Sequence, residues 1–230
     1  MGPDFLKPIV PLGDKIQCLS FTKDYFYKNN ISPEKSRILK VFTKFEDIPI
    51  QYMDQVHGIK LEIILSHSSL PIDETDSLFS STSNLALGVL TADCLPIALS
   101  KKDGSEFAML HAGWKGLLSG VIESTLTSFT KGCSDVSAWI GPSISQKNYE
   151  VGNDLYESFV KKDNESESNF KEKGYDKWLF SLHGEAKRIL GKYNINVDLS
   201  SVCTFESESL FSYRRDRTEN RILSIIWRNE

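Results

Sequence analysis

The chain lacks the features that mark several large classes of protein. No stretch gathers a block of lysine and arginine, and the 27 basic residues are outnumbered by 31 acidic ones. A surface for nucleic acid or for an anionic membrane would need such a cluster, so we expect neither partner. No run approaches the roughly 20 apolar residues of a membrane-spanning helix. Charged Asp4 and three prolines near the start do not fit a secretory peptide, which predicts a cytoplasmic protein.

Cysteine is scarce, and low-complexity sequence is nearly absent. The four cysteines Cys18, Cys94, Cys133 and Cys203 are scattered, whereas a small disulfide-held secreted domain would space them densely. We therefore expect reduced thiols. The most biased stretch is KKDNESESN (161–169), which predicts a solvated surface loop. With no internal repeat and no long linker, residues 1–230 are expected to form a single domain.

Short apolar runs rich in β-forming residues recur along the chain and predict strands. They are LEIIL (61–65), LALGVL (85–90), PIAL (96–99), FAML (107–110), VSAWI (136–140) and ILSIIW (222–227). Apolar residues at helical spacing predict helices over 117–129, ended by Gly132, over about 152–162 and over 176–193. Together these elements predict an α/β (α+β) domain in which helices flank mixed β-sheets.

Three segments each place a potential metal ligand beside glycine, proline or an acid at the end of a strand-like run. They are QVHG (55–58), TADCLP (91–96) and LHAGWKG (110–116). Their His57, Cys94 and His111 match the three protein ligands of a catalytic zinc site, which leaves a fourth position open. No HxxxH or CxxC unit supports the set, and each residue alone is more typical of a structural histidine or a buried cysteine. His67 and His183 lie outside such turns and are expected to be structural.

The order of the motifs resembles one known family. QVHG, an acid in TDSLFS, TADCLPIAL, HAGWKGL, WIGPSISQKNYEVG, CTFESESLFSYRRD and RILSIIW follow one another between about residues 50 and 228. The series is similar to the family variously called laccase-like polyphenol oxidase, peptidoglycan editing factor and purine nucleoside phosphorylase. The resemblance implies a fold like that of the cytotoxic necrotizing factor toxins, which use a Cys and His pair. It also implies that His57, Cys94 and His111 bind the metal.

The resemblance implies one zinc ion, with copper claimed under the laccase name. An ion without geometric preference suits a three-ligand site, whereas copper oxidases that reduce oxygen need several coppers and more histidines than the four present. The implied reactions are phosphorolysis of adenosine, inosine, guanosine or methylthioadenosine, and deamination of adenosine. The expected partners are thus a purine nucleoside and phosphate, acted on by a monomer or weak homo-oligomer.

Catalytic roles follow from the same resemblance. Cys94 is expected to matter for both reactions. Deamination also needs an acid that moves a proton, and Asp93, beside Cys94, and Asp76 are the candidates.

Substrate and phosphate binding is expected from Arg37, Lys115 and Gln55. Arg37 lies 18 residues before Gln55, the offset of the family's arginine, and a guanidinium fork suits phosphate. Lys115 stands where the family often has arginine and keeps the charge without the fork. The SYRRD segment (212–216), Glu150 and Trp114 are expected to be structural or to pack behind the site.

The front of the chain departs from the family pattern and leaves other functions open. In place of a glycine-rich RxGGVS loop and an NLG segment it has SFTKDYFYKNNISPEKSR, so the part before residue 50 is shortened. One alternative is a hydrolase or transamidase that edits peptidoglycan precursors, with a Cys94 thiolate nucleophile and His57 or His111 as base. The others are a copper-dependent polyphenol oxidase and a binding protein that has lost its activity.

Overall fold

The computed structural model describes residues 2–230. Its strands are β1 (Phe5–Leu6), β2 (Ile16–Phe21), β3 (Lys44–Phe45), β4 (Ile48–Tyr52), β5 (Leu61–Ile63), β6 (Ser77–Ser80), β7 (Ala86–Thr91), β8 (Leu95–Lys101), β9 (Phe107–Ala112), β10 (Val136–Ile140), β11 (Glu150–Gly152), β12 (Phe170–Gly174), β13 (Lys177–Phe180), β14 (Asn196–Leu199) and β15 (Ile222–Arg228). The α-helices are α1 (Lys23–Lys28), α2 (Lys35–Val41), α3 (Trp114–Ser119), α4 (Val121–Leu126), α5 (Asn153–Lys162), α6 (Leu182–Gly191) and α7 (Tyr213–Asp216). Short 3-10 helices cover Gln146–Asn148 and Asn164–Asn169.

Two six-stranded sheets form the centre of the fold. Their strand orders are β1-β2-β15-β7-β4-β3 and β14-β10-β8-β9-β6-β5, and β11-β13-β12 form a smaller third sheet. Both large sheets are mixed, since β4 pairs with β7 in parallel while β7 and β15 are antiparallel, and β10 pairs with β14 in parallel and with β8 antiparallel. This arrangement confirms the predicted architecture of mixed sheets flanked by helices.

Alternation along the strands explains why the sheets stack. In β8, Ala98 faces one way and its neighbours Ile97 and Leu99 face the other, as the two-residue period of a strand requires. Ala98, with Met109 and Trp139, joins side chains of the first sheet in the core between the two sheets. Each large sheet is therefore buried on both faces.

Helices cover the outer faces. On the second sheet, apolar residues of α3 to α6 pack over Ile97, Leu99 and their neighbours. On the first sheet, Phe26 of α1 and Ile38 of α2 pack against an aromatic cluster that includes Phe21. The result is a helix–sheet–sheet–helix stack, in which the loops at one end of the strands carry the site described below.

All six predicted strands are present, and the predicted helices differ in their bounds. The segment 117–129 is divided into α3 and α4 by Gly120, whose φ of +98° is left-handed and ends the first helix. The prediction over 152–162 is confirmed by α5. The segment 176–193 begins as strand β13, and α6 starts only after Ser181, whose side chain accepts the N–H of Gly184 as an N-cap.

The structure also bears on the predicted surface loop at 161–169 and on whether any helix could span a membrane. Residues 161–169 are mostly exposed, as a solvated surface segment would be, but they are not a loop, because most of them form the end of α5 and a 3-10 helix in which Ser166 and Asn169 are buried. Within residues 2–230, no helix combines the length and apolar character that crossing a membrane requires.

Candidate metal centre

Three strand ends bring His57, Cys94 and His111 together. His57 follows β4, Cys94 lies in the turn between β7 and β8, and His111 lies near the end of β9. Their potential ligand atoms all lie within 4.8 Å of one another. Cys94 Sγ is 3.8 Å from His57 Nε2, and the two imidazole rings are 4.6 Å apart. His111 is buried and His57 is exposed, so the cluster reaches from the core to the surface.

The loop that carries His57 is held in an unusual conformation by one carboxylate. His57 has a φ of +63°, in the left-handed region that non-glycine residues seldom adopt. Asp76 accepts the backbone N–H groups of Val56, His57 and Gly58 at 3.1, 3.0 and 2.6 Å. These three bonds stabilise the left-handed turn and so fix the direction of the His57 side chain.

The same carboxylate orients the second histidine. His111 Nδ1 lies 2.7 Å from Asp76 Oδ1, and both side chains are buried. A histidine that donates Nδ1–H to a carboxylate presents Nε2 to a metal. Asp76 was expected to be a proton-transferring acid, but four donors already occupy its oxygens. Its contacts are those of a residue that positions both histidines.

Asp93 is likewise engaged by its neighbours. Its carboxylate accepts the hydroxyl of Thr204 and the backbone N–H of Arg214, each at 2.6 Å. Its carbonyl accepts the N–H of Ile144 at 3.0 Å, and its φ is +93°. Asp93 therefore joins the turn carrying Cys94 to three other segments, one of them the start of α7, and it is absent from the wall of the cavity described below.

Electrostatics within the cluster favour an anionic sulfur. Burial opposes ionisation of Cys94, but the charges and hydrogen bonds of His111 and His57 outweigh it and lower the pKa of the thiol to about 6. Burial alone would lower the pKa of His111, yet Cys94 and Asp76 raise it to about 9. A thiolate beside two imidazoles is a borderline-soft donor set that fits one zinc ion.

The glycine of the HAGW motif is explained by the closeness of the ligands. A Cβ at Gly113 would lie 2.9 Å from Cδ2 of His57 and 3.0 Å from Sγ of Cys94. Both distances are below ordinary van der Waals contact, so any larger residue would push the two ligands aside.

A cavity of about 380 Å³ opens beside the cluster. Its floor is the end of β7 with the following residue (90–92), and its rim includes Lys35, Tyr213 and Arg221. Lys35 Nζ lies 3.2 Å from Asp54, and the Arg221 guanidinium is held by the carbonyls of residues 218 and 220. Two cations and one aromatic ring thus surround the mouth of the cavity.

The residues expected to bind substrate lie in different places. Gln55 lines the cavity, but its side-chain amide pairs with the backbone N–H and C=O of Leu90 at 3.0 and 2.8 Å. Arg37 is exposed and is not part of the cavity wall, because residues two apart on a helix face different directions and Lys35 takes the inner one. Lys115 is exposed, with Nζ 5.6 Å from the ring of Trp114.

Sequence reasoning missed the rim residues. Arg221 begins the RILSIIW motif and Tyr213 lies within SYRRD, so both had a signal in the motifs that carry the family resemblance. Lys35 had none, since a lysine on a short helix is usually a solvated surface residue. Only the packing of α2 against the first sheet brings it to the cavity.

The residues expected to be structural lie outside the metal cluster, and most of them contact other parts of the fold. His67 is exposed, and His183 Nε2 lies 2.9 Å from the hydroxyl of Ser143, where burial lowers its pKa to about 4. Glu150 forms ion pairs with two surface lysines. Arg215 of SYRRD donates to the carbonyls of residues 204, 205, 207 and 210 and so fixes the preceding loop.

Comparison with known proteins gives consistent matches. Residues 28–229 match the model of a family described as multi-copper polyphenol oxidoreductase laccase. The chain is 36% identical over 180 residues to "Purine nucleoside phosphorylase YfiH" of Escherichia coli, which covers 76% of this chain and 72% of that protein. It is 35% identical over 215 residues to "Purine nucleoside phosphorylase" of Haemophilus influenzae, covering 91% and 87%.

Solved structures share the whole fold. Neisseria meningitidis protein NMB0706 superimposes with a TM-score of 0.87 at 26% identity, over 99% of this chain and 100% of that one. The hypothetical protein YfiH of Bacillus licheniformis gives a TM-score of 0.85 at 21% identity, over 99% and 97%. The second likeness, at this low identity, concerns the fold alone.

Proposed function

The chain belongs to the family described as multi-copper polyphenol oxidoreductase laccase, and from its similarity to proteins named purine nucleoside phosphorylase we propose that it has that activity and depends on one zinc ion. The observation that carries the proposal is the convergence of His57, Cys94 and His111 beside a cavity with a cationic rim. In the proposed reaction, phosphate cleaves the bond between base and ribose, so that adenosine and phosphate give adenine and ribose 1-phosphate. Inosine, guanosine and methylthioadenosine are the further proposed substrates.

The donor set argues for one ion instead of a multicopper centre. Three ligands are available in the cluster, and of the four histidines in the chain His67 and His183 are elsewhere. When bound by His57, Cys94 and His111, zinc would supply a Lewis acid and a source of hydroxide at neutral pH. A His₂Cys set also occurs in blue-copper electron-transfer proteins, so metal content and visible absorption belong in the test.

The protein's own residues supply orientation and charge. Asp76 holds both histidines in place, and the thiolate of Cys94 is stabilised by their charges. Lys35 and Arg221 are the proposed cations for the attacking phosphate, since they line the cavity while Arg37 does not, and phosphate would compete there with Asp54 for Lys35 and with Glu219 for Arg221. Cation placement matters because phosphorolysis brings a monoanionic or dianionic phosphate to a ribose that develops positive charge.

Deamination of adenosine to inosine and ammonia is a second proposed reaction of the same site. It needs water in place of phosphate and gains nothing from a phosphate clamp. Neither Asp76 nor Asp93 has an oxygen without a donor among residues 2–230, so we assign the proton transfer to neither. Their proposed role is to hold the ligands in position.

The decisive experiment is a panel of purine nucleosides with and without phosphate, read by chromatography on protein of measured metal content. We expect free base and ribose 1-phosphate only with phosphate present, about one zinc per chain, and loss of both zinc and turnover in Cys94→Ala and His111→Ala. Full zinc retention in both variants would exclude the proposed ligands. No turnover of any nucleoside by zinc-loaded protein would exclude the reaction.

The two hypotheses for the phosphate clamp make opposite predictions. If Lys35 and Arg221 bind phosphate, Lys35→Ala and Arg221→Gln should raise the KM for phosphate and leave deamination nearly unchanged. Arg37→Ala, on the outer side of the same helix, is the matched control and should behave as wild type. A raised KM for phosphate in Arg37→Ala alone would support the hypothesis drawn from the sequence.

One observation favours a second candidate function. The low thiol pKa of Cys94 and the 3.8 Å distance to His57 are also what a cysteine hydrolase acting on peptidoglycan precursors requires. Iodoacetamide separates the two: a nucleophilic thiolate reacts in the purified enzyme, whereas a zinc-bound sulfur is protected until a chelator is added.

A further inference from the structure

Tyr213 has an unusual combination of exposure and position. Its side chain is 45% exposed and lines the cavity that the three proposed metal ligands share. Exposure alone would not indicate a function, because other tyrosines of the protein, such as Tyr27 and Tyr175, are also exposed. Tyr213 differs from them because its ring borders the site.

The backbone beneath Tyr213 is fixed by several hydrogen bonds. Ser212 caps the short helix α7 by accepting the N–H of Arg215, and the Tyr213 carbonyl accepts the N–H of Arg217 at 2.9 Å. The N–H of Arg214 donates to Asp93, which directly precedes Cys94. The turn that carries the exposed Tyr213 ring is thus hydrogen-bonded to Asp93, the residue that precedes the proposed metal ligand Cys94.

One face of the ring is already covered. The guanidinium of Arg217 lies 5.1 Å from the ring centre of Tyr213, within the range of a cation–π contact. This contact occupies one side of the ring, while the side chain as a whole remains 45% exposed. Binding to such a preformed surface loses little side-chain entropy.

The other groups around the cavity cannot take this role. Among the described residues that line it, Tyr213 is the one six-membered aromatic ring; the others are the three proposed metal ligands, Gln55, residues 90–92, Lys35 and Arg221. A purine offers two flat π-faces, and aromatic side chains are the usual partners of such faces. Lys35 and Arg221 suit the phosphate, so Tyr213 is the lining residue that suits the purine base.

We infer that Tyr213 is the residue on which the purine base stacks. The inference rests on the proposed function, since it takes a purine nucleoside as the ligand. It assigns the base to the Tyr213 ring and the phosphate to Lys35 and Arg221, which line the same cavity. Base–aromatic stacking predicts a loss of roughly 5- to 150-fold in base affinity when the ring is removed.

The test compares the two products of the proposed reaction, of which one contains the base and the other the ribose and the phosphate. Dissociation constants for adenine and for ribose 1-phosphate are measured by calorimetry on zinc-loaded wild type, Tyr213→Ala, Tyr213→Phe and Tyr175→Ala. Tyr175 is 93% exposed at the tip of the β12–β13 hairpin and serves as the control. We expect Tyr213→Ala to weaken adenine binding and leave ribose 1-phosphate binding unchanged, with Tyr213→Phe and Tyr175→Ala close to wild type in both.

Several outcomes would overturn the inference. They are unchanged adenine binding in Tyr213→Ala, equal weakening of both ligands, a Tyr213→Phe loss as large as that of alanine, and failure of wild type to bind adenine. The proposed function fails separately, if wild type forms no adenine from adenosine and phosphate. Adenine binding that still depends on the Tyr213 ring would then show a base site serving another reaction.

Discussion

Replacement of Asp76 by asparagine is expected to weaken zinc binding more than its small change in shape suggests. One oxygen of Asp76 accepts from the backbone of His57 and the ring of His111, and the other accepts from Val56 and Gly58. An amide turns one of these two acceptors into a donor. If the amide nitrogen faces Val56 and Gly58, two part-buried backbone N–H groups lose their acceptor; if it faces His57, that part-buried N–H and the present bond to His111 Nδ1 are lost.

The size of the effect follows from these contacts. A buried donor left without an acceptor costs about 1–3 kcal/mol, and because the backbone donors here are only part-buried, the free energy of unfolding of Asp76→Asn should fall by roughly 1–3 kcal/mol in total. Loss of a carboxylate behind a ligating histidine typically lowers metal affinity by about 10- to 100-fold, or ~1.4–2.7 kcal/mol. The left-handed turn at His57 loses its support at the same time, which favours the upper end.

Competition with a chromophoric zinc chelator gives the dissociation constant, and urea unfolding of the same preparations gives the stability. Asp198→Asn is the matched control, because Asp198 also accepts two backbone N–H groups, from Ile9 and Val10, but lies on β14 outside the metal cluster. Zinc affinity in Asp76→Asn equal to that of wild type and of the control would refute the idea that this carboxylate positions the ligands.

Two further predictions follow from single residues. Gly113→Ala should lose zinc while keeping the fold, because the added methyl group would lie about 3 Å from both His57 and Cys94. Elemental analysis measures the zinc content and circular dichroism the fold, and a variant that retains stoichiometric zinc would contradict the prediction. Burial lowers the pKa of His183 from 6.5 to about 4, so only the unfolded chain takes up this proton between those values and stability should fall as pH drops from about 6.5 to 4. His183→Gln should flatten that decline in urea midpoints, and an unchanged slope would show that other groups cause it.

The sequence by itself determined much of the architecture and the identity of the clustered residues. Strands such as β8 and β9 could be predicted because their apolar runs are short and bounded by turn residues. The runs are nearly continuous because both faces of each strand are buried. His57, Cys94 and His111 were readable from their motifs, although their assembly was an expectation from family resemblance. Helix bounds were less accurate, since the local conformation of Gly120 and the pairing of Trp178 in β13 outweighed helical periodicity.

Tertiary structure alone decided which polar residues face the cavity and which are occupied elsewhere. Asp76 and Asp93 look like free acids in the sequence, yet their oxygens are filled by donors that come from distant segments. Arg37 and Lys35 look interchangeable on one helix, but the direction of α2 against the first sheet turns only Lys35 inward. Spacing along the chain records neither hydrogen-bond partners nor the rotation of a short helix, because both are set by packing between elements far apart in sequence.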